Sequence, residues 1–308
     1  MDCATLTSAI NSDWSGVCRE PRGVARGQKG ADTRMVEDLE GRQDVDAFAP
    51  EENRTFQHVQ LDTQAGVVRI TLNRPPANVL SVEMMQEIGV ALESLEYQED
   101  VKLVVLGATG KYFSAGYELS DHLGDRAYMM LESFRRIFEV MSRVDKPTLA
   151  VIAGPALGAG CLLAAACDIT LAGESVKLGH PEIRGGVFNT MAAALLPRLV
   201  GRKRAYEMLM LGTTLSAAEA ARAGLITRAV PDDKLGAEAA AIIQRFSESS
   251  APVVQLARRA IAGGLHLPLD EAVSHAEDVY LNMLLSTEDV EEGLKAVVEK
   301  RKPAWKDR

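Results

Sequence analysis

The sequence predicts an α/β domain in which most strands pair in parallel, and three observations carry that prediction. Short runs of apolar and β-branched residues at 67–72, 103–106, 148–153 and 169–172 read as buried strands. Stretches with helical apolar spacing separate them, and a repeated strand–helix–strand order favours parallel pairing. Beyond about residue 216 the chain turns almost wholly helical.

In chain order, residues 56–62 and 67–72 form a predicted hairpin, ended by Asn73-Arg74-Pro75-Pro76. Ser81 can cap a helix whose Met84, Met85, Ile88, Leu92 and Leu95 share one face. A second helix is expected over 126–144. Strands follow at 148–153 and 169–172, then a helix at 217–223, a strand at 226–230 and helices from 233 onward. The last helix gathers Val290, Leu294, Val297 and Val298 on one side. Residues 1–54 show no apolar period and are rich in Gly, Asp, Glu and Arg, so they are expected to be a disordered extension, with Met35 a candidate start codon.

Composition excludes several classes. With 308 residues, 47% of them hydrophobic, the chain is long enough for a sizeable core. A net charge of -9 without a long Lys/Arg block argues against a nucleic-acid partner. Cys3, Cys18, Cys161 and Cys167 form no C-x-x-C pair, so no metal site is expected, and the apolar surroundings of Cys161 and Cys167 fit buried thiols in a reducing compartment. No apolar run reaches the ~18 residues of a membrane span. The first ten residues lack the apolar stretch of a signal peptide, so a cytoplasmic protein with no membrane partner is expected.

Three segments carry chemistry. In Gly110-Lys111-Tyr112-Phe113-Ser114-Ala115-Gly116-Tyr117, small residues after a strand let backbone approach a ligand; alone, the segment reads first as a plain turn. In Gly154-Pro155-Ala156-Leu157-Gly158-Ala159-Gly160, a strand runs through a glycine-rich turn into a helix starting near Ala159, whose free N–H groups attract negative charge. This loop lacks the Gly-Lys-Ser/Thr of a P-loop and the third glycine of a dinucleotide fingerprint, and the chain has no G-x-S-x-G nucleophile elbow. In His180-Pro181-Glu182, proline fixes the backbone just before a carboxylate that is either a proton-transfer base or a surface partner of Arg184.

Together the three segments resemble the crotonase (enoyl-CoA hydratase/isomerase) superfamily. The resemblance covers residues 55–308 and includes Ile70-Thr71-Leu72-Asn73-Arg74-Pro75, Phe113-Ser114-Ala115-Gly116, Cys167-Asp168-Ile169, Pro181-Glu182-Ile183 and Val298-Glu299-Lys300-Arg301-Lys302-Pro303. Within that superfamily, residues 74–80, 121–125 and 280–305 look most like the cyclic dienoyl-CoA hydratases.

The resemblance implies a spiral of ββα units over 55–250, a helical trimerisation region over 251–308, and a homotrimer or a dimer of trimers. It implies an acyl-CoA substrate with no cofactor beyond the coenzyme A that the substrate carries. The thioester oxygen would lie between the N–H groups of Tyr117 and Ala159, with Glu182 as base. Ala77, Ser114, Ala115, Gly116 and Gly158 would line the site, while Lys111 and Lys300, the latter reaching a neighbouring subunit, would sit near the nucleotide. Hydratases of the family carry a second glutamate where this chain has Leu162. That departure sets isomerase-type or other single-base chemistry at least level with hydration; hydration would require a substitute, and Tyr117, Glu118, Asp121, His122 and Asn189 are the candidates. A noncatalytic acyl-CoA binder, and a decarboxylase or thioesterase on the same scaffold, are the alternatives.

Overall fold

The computed structural model describes residues 56–308; the expected extension over 1–54, with Met35, lies outside the described residues. Strands β1 (Val59–Gln64) and β2 (Val67–Leu72) form the expected hairpin, paired from Val59 opposite Leu72 to Gln64 opposite Val67. Ala65 and Gly66 both have positive φ, the two-residue turn whose twist suits a hairpin. The first strand starts later than expected. Glu87 explains this, because its carboxylate accepts the N–H groups of Gln57 at 3.0 Å and His58 at 2.8 Å.

Helix α1 (Val82–Glu93) begins where Ser81 accepts from Met84 N–H, and its Met84, Met85, Ile88 and Leu92 are buried. Strand β3 (Leu103–Ala108), helix α2 (Arg126–Arg143) and strand β4 (Thr148–Ile152) follow. Next come β5 (Ala156–Leu157), α3 (Ala159–Ala165) and β6 (Ile169–Gly173). Beyond them lie β7 (Lys177–Gly179), α4 (Thr190–Leu199), α5 (Gly201–Leu211) and β8 (Thr214–Ser216). The chain continues through α6 (Ala217–Arg222), β9 (Arg228–Val230), α7 (Leu235–Ser247), α8 (Ala251–Gly264), α9 (Leu269–Asp278) and α10 (Glu288–Glu299).

Six strands form one sheet in the order β1-β2-β3-β4-β6-β9, parallel everywhere except β1–β2. Side-chain alternation sorts its two faces. Val68, Ile70, Val104, Leu106 and Ala150 join the main core with α1, α2 and α3. Val67, Leu103, Val105, Leu149 and Leu171 face the other way and pack against Leu235 and Ala239 of α7. Each such buried aliphatic side chain contributes ~1.5–3 kcal/mol. A second sheet, β5-β7-β8, has strands of two or three residues, too short to show a period, which is why the sequence did not reveal it.

The last helix turns Asp289 and Ala296 inward while Leu294, Val297 and Val298 stay exposed. Asp289 accepts the N–H groups of Lys306 and Asp307. Trp305 donates its indole N–H to Glu248 O at 2.7 Å, so the tail folds back on the helix. Among the described residues no helix is long and apolar enough to cross a membrane.

Candidate active site

The site is built on three loops that leave the C-terminal ends of sheet strands. Asn78 pins the first of them. Buried and left-handed, it donates from Nδ2 to Thr109 O and Tyr112 O, both at 2.8 Å, and accepts Arg74 N–H at 2.7 Å. Ala77, beside it, accepts Ala115 N–H at 2.9 Å. Leu80 then uses both of its main-chain groups, donating to Gly116 O at 2.7 Å and accepting from Glu118 N at 3.0 Å. Pairing to the residues on either side of Tyr117 turns Tyr117's own N–H away from Leu80, and it has no acceptor among the described residues.

On its other side the same loop meets β5, where Leu157 N–H donates to Ser114 O at 2.8 Å. The Ser114 hydroxyl accepts Gly116 N–H at 3.2 Å. Gly158 (φ 53°, ψ -126°) adopts a conformation open to glycine and ends the strand, and α3 starts at Ala159. A first helical residue has no acceptor within its helix, so the Ala159 N–H is free of it.

Four residues meet here in space. A methyl placed on Gly158 would lie 3.2 Å from Glu182 Oε2 and 3.5 Å from Gly116 Cα. One placed on Gly116 would lie 3.8 Å from Ala159 N. The structure therefore brings Gly116, Gly158, Ala159 and Glu182 together, with Ser114 packed against Gly160 and Ala115 tied to Ala77. Lys111 lies exposed on the first loop. Lys300 sits exposed at the left-handed end of α10, which packs on α8 and the turn Leu284–Ser286, away from the three loops.

Glu182 stands on a short turn, Pro181–Gly185, with His180 just before it. His180 Nδ1 lies 2.9 Å from Glu182 Oε1, and the glutamate side chain is 19% exposed. Burial opposes the imidazolium, but the neighbouring Cys161 and the Glu182 carboxylate outweigh it and push His180 up to about 9. Burial and the nearby Glu182 carboxylate hold the Tyr117 phenol well above its usual range. Its ring packs edge-on against Phe134 at 5.1 Å and His122 at 5.7 Å. Asn189 faces the phenol and spends its Oδ1 on capping α4 through Ala192 N–H, at 2.9 Å.

Five buried side-chain polar atoms have no partner among the described residues, and four belong here: Tyr117 Oη, His180 Nε2, Glu182 Oε2 and Asn189 Nδ2. Buried polar groups are almost always paired, so such a concentration marks a place built for a ligand. Two other candidates are already engaged. Glu118 pairs with Arg74 at 2.9 Å, and buried Asp121 accepts Val82 N–H and pairs with Arg126. Leu162 is wholly buried. The His180–Glu182 pair escaped sequence reasoning, although the spacing of two across Pro181 was its available signal. Nearby, Tyr128, Leu131, Glu132 and Arg135 of α2 and Thr190 and Met191 of α4 line a surface hollow of about 350 Å³.

A family profile described as enoyl-CoA hydratase/isomerase matches residues 62–308. The chain belongs to the enoyl-CoA hydratase/isomerase family. It is 35% identical over 257 residues to a probable enoyl-CoA hydratase of Rhizobium meliloti, covering 82% of this chain and all of that one. It is 36% identical over 249 residues to the mouse enoyl-CoA hydratase domain-containing protein 3, mitochondrial, covering 79% of this chain and 82% of that one. The crystal structure of an enoyl-CoA hydratase from Bacillus anthracis superposes with a TM-score of 0.77 at 31% identity, covering 82% of this chain and all of that one. The enoyl-CoA hydratase/isomerase fold is thus the fold of this chain, and the family is one of enzymes that act on acyl-CoA.

Proposed function

We propose that this family member moves a proton at the carbon next to an acyl-CoA carbonyl, with one carboxylate as base. Tyr117 N–H and Ala159 N–H donate to the thioester oxygen, and Glu182 removes the α-proton. The observation that carries the reading is the place of Glu182 Oε2, 3.2 Å from where a methyl on Gly158 would stand, one residue before the Ala159 donor. Base and oxyanion donor are thereby held side by side. Each donor contributes ~2.7–4 kcal/mol once charge develops on the oxygen. Because that charge grows only as the enolate forms, the donors stabilise the transition state more than the bound substrate.

Leu162 rules out the arrangement of two glutamates, so the chemistry runs through Glu182 alone. Lys111, and Lys300 from a neighbouring subunit, neutralise CoA phosphates. Ala77 offers backbone at the mouth of the channel, and CoA itself is the only cofactor-like group required. The exposed Leu294, Val297 and Val298 are the surface for a homotrimer or hexamer, readable by light scattering. The free thiols Cys161 and Cys167 suit a reducing, cytoplasmic setting.

Exchange of the α-proton of a saturated acyl-CoA in heavy water tests the reading directly. Glu182→Gln should slow exchange by about 100- to 10,000-fold, the range for a positioned base. Exchange at the wild-type rate would remove Glu182 from the mechanism.

A further inference from the structure

Arg74 stands on the first loop with both its backbone and its side chain tied down. Its N–H donates to Asn78 Oδ1 at 2.7 Å, and its carbonyl accepts Asn78 N–H at 2.8 Å. The half-buried guanidinium serves two more partners. Nη1 donates to Val79 O at 3.0 Å, and Nη2 donates to Glu118 Oε2 at 2.9 Å. The other oxygen of Glu118 accepts Leu119 N–H at 3.1 Å, so the carboxylate is itself held.

Val79 O begins a line of bonded peptide groups. The peptide unit that carries this carbonyl also carries Leu80 N–H, which donates to Gly116 O at 2.7 Å. The peptide unit of Gly116 O carries in turn the N–H of Tyr117. A cation that donates to a peptide carbonyl draws electron density towards that oxygen, and the N–H of the same unit becomes a stronger donor. Two such steps lead from the guanidinium to Tyr117 N–H. The two oxyanion donors differ in this respect. Ala159 N–H has the aligned peptide dipoles of α3 behind it, whereas Tyr117 lies outside any helix.

We infer that Arg74 is a positioning residue of this site: braced by Glu118, its guanidinium holds and polarises the Val79–Leu80 and Gly116–Tyr117 peptide units, so that Tyr117 N–H binds the thioester oxygen more strongly as charge develops there. The inference rests on the reading of Tyr117 N–H as an oxyanion donor and adds what tunes that donor. Arg74 acts through backbone alone. Its planar fork serves two acceptors at once, a geometry that a lysine ammonium on a flexible stem does not reproduce. With both terminal nitrogens engaged between the loops, the side chain braces backbone rather than gripping a CoA phosphate.

The test reads the thioester carbonyl itself, on the full chain. Infrared difference spectra between unlabelled butyryl-, octanoyl- and palmitoyl-CoA and the same compounds isotope-labelled at the carbonyl carbon isolate that one band in the bound ligand. Exchange of the α-proton in heavy water supplies kcat and KM. Wild-type protein should lower the band frequency relative to the free thioester. Arg74→Gln should return it part of the way and slow exchange about 10-fold, less than for a donor removed outright, with KM changed by less than about 3-fold. Arg74→Lys should fall between these two, and Glu118→Gln should move the band in the same direction by less. A wild-type band in Arg74→Gln and Arg74→Lys would overturn the inference, even with a lowered thermal midpoint, since that is the behaviour of a merely structural ion pair. A raised KM with an unmoved band would overturn it as well and assign Arg74 to CoA binding. Ala159→Pro supplies the control, because it removes the other donor and leaves Arg74 in place. A band that shifts in Ala159→Pro but not in the Arg74 variants would sink the inference alone. A wild-type band equal to that of the free thioester would sink the reading of the donors on which it stands.

Discussion

His180 Nδ1 lies 2.9 Å from Glu182 Oε1, which leaves Oε2 as the carboxylate oxygen free to meet a substrate. Proline between the two residues holds the turn, so a histidine two positions before the glutamate comes back to face it. The buried imidazole thus fixes the orientation of a carboxylate that stands beside Gly158.

That pairing makes stability depend on pH. His180 holds its proton more tightly in the folded protein, with its pKa raised from 6.5 to about 9. The contribution is fully present below the unfolded value and is lost as pH rises through the folded one. Thermal midpoints of the wild type should therefore fall between about pH 6.5 and pH 9, and His180→Gln should flatten that decline. Identical slopes in both proteins would show that the imidazolium adds nothing.

The proposed oxyanion donors can be separated from the helix that carries one of them. Ala159 occupies the first position of α3, where proline fits without disturbing the helix. Ala159→Pro removes one N–H and should lower kcat by about 100- to 1,000-fold. Circular dichroism and the thermal midpoint should barely change. Full activity in a folded variant would exclude this amide from oxygen binding.

Gly158 is constrained from two directions. Its φ of 53° with ψ -126° disfavours a side chain, and a methyl would press on Glu182 Oε2 at 3.2 Å. Gly158→Ala should cost about 1–3 kcal/mol in urea unfolding. It should also reduce turnover, because the carboxylate must move away from the Ala159 donor. A variant with wild-type stability and rate would contradict the packing described above.

Asn78 ties two loops together with three hydrogen bonds from one buried side chain. Asn78→Gly keeps the left-handed backbone but deletes all three, so stability should fall by about 1–3 kcal/mol. KM for acyl-CoA should rise with it, since Ala77 loses its fixed position against Ala115. An unchanged KM would separate this anchor from the binding channel.

Strand and helix periodicity made the large sheet, α1 and α2 legible, because each buries one face over five or more residues. The short β5-β7-β8 sheet was not legible, since strands of two or three residues carry no period. Of the five candidates to replace a second glutamate, the sequence offered no ranking. The structure binds Glu118 to Arg74 and Asp121 to Arg126, and leaves Tyr117 Oη and Asn189 Nδ2 buried without partners among the described residues.

The sequence by itself determined the α/β class, the three glycine-bearing loops and the substitution of leucine for a carboxylate at position 162. These are local properties, written in apolar spacing, in residues that permit unusual backbone, and in the identity of single side chains. Only the tertiary structure decided which polar atoms are left without partners. Pairing depends on residues far apart in the chain, such as Arg74 with Glu118, that meet only when the sheet and its helices pack.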